Sequence, residues 1–108
     1  MEISFESKQL REICENEAEG NRQLGETVAK ALRSRLADME VALSPKELLA
    51  GRPAERTDGM MCVDLEEGSC MVFVPNHPVT PLTIAGNVDW SRVHSIRIVK
   101  IDNRNATR

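Results

Sequence analysis

The chain has 108 residues, 41% hydrophobic and 29% charged, which suits one soluble domain with a single core and excludes a disordered chain. A formal net charge of −3 argues against a wide basic footprint on nucleic acid and leaves room only for a local cationic patch. Two phenylalanines, one tryptophan and no tyrosine make the expected core aliphatic and exclude chemistry that needs a phenol.

In chain order, "EISFE" (Glu2–Glu6) alternates and predicts a short strand. Ser7 follows as a helix N-cap, with Leu10, Ile13 and Cys14 on one helical face and Gly20 as the stop. Asn21 is expected to cap a longer second helix with Leu24, Val28, Leu32, Leu36 and Met39 along its packed side. "SPKELL" (Ser44–Leu49) has a capping serine, a first-turn proline and Glu47, so it reads as a short third helix. "AGRPAERTDG" is a loop. The stretch from Cys62 to Pro78 then reads as a β-hairpin turning at Glu67-Gly68. That turn sets Leu65 opposite Cys70, Val63 opposite Val72 and Met61 opposite Val74. Met60, Cys62, Asp64, Met71 and Phe73 form the second face, and Cys62 and Cys70 point to opposite sides. "NHPVTPLTIAGNVDWSR" is a long loop pinned to the body by Trp90. "VHSIRIVKID" is the last strand, with Ile96 and Ile98 facing inward and Arg97 facing the open side near Met71.

The order β-α-α-(α)-β-β-β predicts a two-layer α+β fold. Two N-terminal helices cover one face of a small, mainly antiparallel sheet, and residues 1–108 form one domain. Met60, Cys62, Met71 and Phe73 are then expected on the uncovered face as a docking surface for a second chain. No apolar run reaches the roughly 20 residues of a membrane span, and no basic leader precedes an apolar stretch. Cys14, Cys62 and Cys70 fit neither an even disulfide set nor a metal-ligand spacing, so reduced thiols, no metal, no cofactor and a cytoplasmic location are expected.

Five stretches together, "ISFESKQLREICE", "LGETVAKALRSRLADME", "SPKELLAGRP", "VDLEEGSCMVFVP" and "DWSRVHSIRIVKI", resemble the RelE/ParE toxin superfamily, and within it the HigB-like branch. The resemblance spans nearly the whole chain in order. It implies the toxin half of a bacterial toxin–antitoxin pair. The implied partner is an antitoxin, a small helix-turn-helix protein, and many such toxins cleave messenger RNA on the ribosome. Met71 stands where the family's second hairpin strand usually carries arginine. Asp102, Asn103 and Arg104 stand where many relatives end in an acid–base pair.

Cleavage by the RNA 2′-hydroxyl needs a base, a cation for the phosphorane and an acid for the leaving oxygen. Arg97, Arg56 and His94 are the candidate catalytic residues, with Arg97 replacing the missing arginine from a neighbouring strand. Arg52, Arg56, Arg97, Lys100 and Arg104 are the candidate RNA-binding residues. Two other readings stay open: a binding module that kept the fold and lost cleavage, and a gyrase-type inhibitor. A homodimer across the uncovered face is a further expectation.

Overall fold

The structure is a computed structural model, and it describes residues 1–102. Arg104, expected among the RNA-binding residues, lies outside the described residues. Strand β1 (Glu2–Phe5) leads into helix α1 (Lys8–Glu15), capped as expected by Ser7, whose hydroxyl accepts the Leu10 amide at 3.1 Å. From there the helical region divides differently from its apolar pattern. Asn16 caps a separate helix α2 (Glu17–Leu24), its side-chain oxygen accepting the Glu19 amide at 3.0 Å. Gly20, the expected stop, and Asn21, the expected cap, both lie inside α2. A Cβ on Gly20 would stand 2.8 Å from the carbonyl oxygen of Ile13, so the glycine serves the close approach of α2 to α1. The break falls instead at Gly25, whose φ of 84° lies in a region that favours glycine.

Helix α3 (Glu26–Val41) buries Val28, Leu32 and Met39, the stripe the spacing predicts. The expected third helix shrinks to a 3₁₀ turn, Pro45–Glu47. The Glu47 carboxylate there accepts the Leu43 amide at 3.0 Å, and Leu48 is already extended.

Four further strands are β2 (Ala54–Glu55), β3 (Met61–Asp64), β4 (Cys70–Pro75) and β5 (Ser95–Asp102). The sheet order is β1-β5-β4-β3-β2, with β1 parallel to β5 and the other neighbours antiparallel. This is the expected α+β fold, with the helices on one face of a mainly antiparallel sheet. Leu32 and Met39 from α3 meet Val63, Phe73, Ile96 and Ile98 in one core.

Two irregularities decide which side chains enter that core. The hairpin does turn at Glu67 and Gly68, with φ of 57° and 74°, and the Ser69 amide bonds the Glu66 carbonyl at 3.0 Å. The Leu65 amide, however, bonds the Ser69 carbonyl at 2.8 Å, so the β3 side holds one extra residue. Pairing therefore slips by one: Asp64 faces Cys70, Val63 faces Met71, Cys62 faces Val72 and Met61 faces Phe73. A slip of one residue turns a strand over relative to its partner. Met71 and Phe73 consequently share the helix-side face with Met61 and Val63, all of them buried. The second irregularity is in β5. Ile98 pairs with Phe73 and Lys100 with Val72, which leaves Val99 as an extra residue. Ile101, opposite Met71, joins the helix-side core with Ile96 and Ile98.

The long loop after β4 is held as expected by Trp90, which opens a 3₁₀ turn (Trp90–Arg92) and is buried edge-to-face against Phe73, ring centroids 5.8 Å apart.

Candidate functional site

The slipped hairpin overturns the expected docking face. Met71 and Phe73 are fully buried beneath the helices and offer nothing to a second chain. Of the four residues assigned to that face, Met60 and Cys62 remain half-buried, and only Cys62 is shown by its pairing to point away from the helices. The same slip puts Cys62 and Cys70 on one face rather than on opposite faces. Leu65, expected in the row beneath the helices, is half-buried at the turn. Val72 is fully buried in the outward row, between Cys62 on β3 and Lys100 on β5.

Arg97 is likewise not beside Met71. It pairs with Val74 on the outward side, opposite to the face that holds Met71. The β5 irregularity adds something alternation could not give. In a regular strand Arg97 and Lys100 would point to opposite faces, three positions apart. The extra Val99 turns both outward and makes them second neighbours along one face, roughly 7 Å apart at two strand rises. Arg97 and Lys100 are thus the two cations that the sheet itself aligns.

Arg97 is held on one side only. Its Nε lies 3.6 Å from the Glu6 carboxylate, inside ion-pair reach but beyond a hydrogen bond, and that nitrogen is buried without a hydrogen-bond partner. Lys100 is exposed. The other candidate cations are already engaged. Arg52, with a left-handed φ of 45°, reaches the Asp64 carboxylate at 2.6 Å, and Arg56 reaches Asp58 at 3.1 Å. Arg56 follows the edge strand β2, and β3 and β4 stand between it and Arg97. Three strand spacings, roughly 14 Å, separate the backbones of β2 and β5, and Arg56 is turned to Asp58 rather than to Arg97.

His94 does not meet Arg97 either. It immediately precedes β5, and its ring stands edge-to-face against His77, centroids 4.3 Å apart, while its backbone amide donates to His77 Nε2 at 3.3 Å. The pairing of the two histidines was not legible, because they lie at opposite ends of the long loop. The carboxylates Glu6, Asp58 and Asp64, which take up the arginines, were also missed. Asp58 had a usable signal, two residues after Arg56 in a tight loop; Asp64 had none, since the backbone brings it to Arg52 from across a turn.

Three carboxyl and thiol groups elsewhere have shifted ionisation. Burial, helped by the neighbouring Glu15 charge, pushes the Cys14 thiol up to about 12. Hydrogen bonds from Ser91 and then Arg92 hold the Asp89 carboxyl below its ordinary range, and Arg22 with Gln23 does the same to Glu19. None of these groups lies on the outward face of the sheet. Among the described residues no group of three His, Cys, Asp or Glu side chains is placed to hold a metal ion, and no helix is long and apolar enough to cross a membrane.

The arrangement can therefore grip an anion on the outward sheet face through Arg97 and Lys100. Two carboxylates flank that pair among the described residues: Glu6 stands 3.6 Å from the Arg97 Nε, and Asp102, opposite Cys70, shares the outward face two positions beyond Lys100. No protein-family model matches the chain, and no curated protein or solved structure gives a significant match.

Proposed function

We propose that this chain is the toxin-type component of a bacterial toxin–antitoxin pair, with the outward face of its sheet as the surface that meets the target. One observation carries the reading: the β5 irregularity sets Arg97 and Lys100 side by side on the outward face of an α+β sheet. Two adjacent cations, one of them with an unsatisfied Nε, suit the phosphates of a nucleic-acid backbone. In the nuclease form of this reading the target is messenger RNA on the ribosome, Arg97 stabilises the phosphorane, and an imidazole such as His94 moves the proton.

A second form of the reading has its own support. Arg52 and Arg56 are tied to carboxylates, Met71 is core, and His94 rests against His77 rather than Arg97. A protein so arranged binds its target and does not cut it. Expression without the antitoxin separates the forms. Growth arrest relieved by Arg97→Ala together with Lys100→Ala, with new 5′ ends in ribosome-bound message, is the nuclease outcome. Arrest without new ends marks the binding form, or gyrase as the target. Unimpaired growth of the cells making the folded wild-type protein would overturn the toxin reading altogether.

A further inference from the structure

The free edge of the sheet has a pattern that neither form of that reading uses. β1 is an edge strand, bonded on one side to β5. The amides of Glu2 and Glu6 donate to the carbonyls of His94 and Ile98 at 3.0 and 2.9 Å, so even-numbered residues face β5 with their backbone groups. The backbone N–H and C=O groups of Ile3 and Phe5 therefore point to the open side, ready to pair with another strand. Beneath that edge, on the helix side, a cleft of about 520 Å³ opens between β1, α1 and α3. Ile3, Phe5, Cys14, Leu36 and Ala37 give it an apolar wall, and Glu15, Arg33 and Glu40 line it with charge. A second cleft of about 630 Å³ runs alongside β1 towards Lys8 and Arg11 of α1. The backbone edge and the cleft lie together, as a strand-addition site requires: main-chain bonds for affinity and a pocket for alternate side chains.

Charge chooses the occupant. Ile3 and Phe5 face the helices, so Glu2, Ser4 and Glu6 face the other way. In an antiparallel addition these three stand at non-hydrogen-bonded positions, where facing side chains approach most closely. A second copy of β1 paired along its whole length would set Glu2 against Glu6 twice, and like charges directly opposite are destabilising. An incoming strand with lysine or arginine at those positions meets the reverse situation. Arg97 already reaches Glu6, but at 3.6 Å and with both side chains partly exposed, so it does not screen that carboxylate from a second cation. We propose that the free edge of β1 is a docking site for an extended segment of a partner protein. That segment adds antiparallel as a further strand, with apolar side chains turned into the cleft and basic residues opposite Glu2 and Glu6. The proposal does not rest on the toxin reading and fails or stands separately from it.

The test uses the full-length protein and a fluorescent peptide, Gly-Lys-Val-Thr-Val-Lys-Gly, followed by anisotropy. Saturable binding is expected, and roughly tenfold or more is lost when both lysines become glutamates. Ile3→Pro deletes an outward donor and spares the ladder to β5, and the loss of one hydrogen bond weakens binding by roughly tenfold. Circular dichroism checks that this variant is folded. Should it not be, N-methylation of the peptide amides that face Ile3 and Phe5 removes the reciprocal bonds, those donated to the Ile3 and Phe5 carbonyls. Absence of saturable binding, equal binding of the acidic peptide, or unchanged affinity on deleting bonds from either side would each overturn the proposal; the last two would show surface adsorption.

Discussion

The two faces of one hairpin differ in what they demand of sequence. On the helix side Met61, Val63, Met71 and Phe73 are all but sealed from solvent and fill the core beneath the helices. On the outward side Cys62, Asp64, Cys70 and Val72 mix thiol, carboxylate and methyl groups. Both faces look apolar enough in the sequence to be the covered one. The difference between them is not a matter of hydrophobicity but of one extra residue before the turn, which turns one strand over relative to the other. A face is identified by register first and by composition second.

The sharpest way to break the comparison is a charge on the sealed face. Met71→Asp is expected to prevent folding, because an ionised carboxylate would sit among Ile101, Val63 and the α3 side chains with nothing to pair it. Native-like circular dichroism and a cooperative thermal transition for that variant would place Met71 outside the core. A smaller effect comes from the helix that covers the face. Leu32→Ala should cost about 2–5 kcal/mol, read as a lower denaturant midpoint at unchanged slope, since the cavity it leaves is enclosed. An unshifted midpoint would mean that α3 does not seal the sheet there.

The mildest probe compares thiols and leaves the fold intact. Alkylation proceeds through the thiolate. Cys14, buried in the core with its ionisation moved from the ordinary 9.0 to about 12, should resist iodoacetamide at pH 8, while half-buried Cys62 on the outward face reacts. Mass spectrometry of the labelled peptides reads the order, and labelling of Cys14 before Cys62 would contradict the packing. The same shift has a linkage sign. Between about 9 and 12 the folded chain keeps a proton that the unfolded chain releases, so stability should fall as pH rises through that window. Cys14→Ala should flatten the fall.

Periodicity and punctuation determined a good deal by themselves. The Ser7 cap, the α3 stripe from Val28 to Met39, the positive-φ turn at Glu67-Gly68, the anchoring Trp90 and the inward Ile96 and Ile98 follow from local rules, because each depends on neighbours within a turn or two of chain. The Gly20 and Gly25 exchange of roles was not legible. A glycine that stops a helix and one that lets two helices touch look the same until the second helix is in place. The same holds for the site. That Arg97 and Lys100 share a face, that Arg52 is ion-paired with Asp64, and that β1 is left as a free edge were decided by tertiary structure alone. The physical reason is that a β-strand's side-chain period is two. A single inserted residue, settled by how the strands pair and what the helices can cover, reassigns every position beyond it.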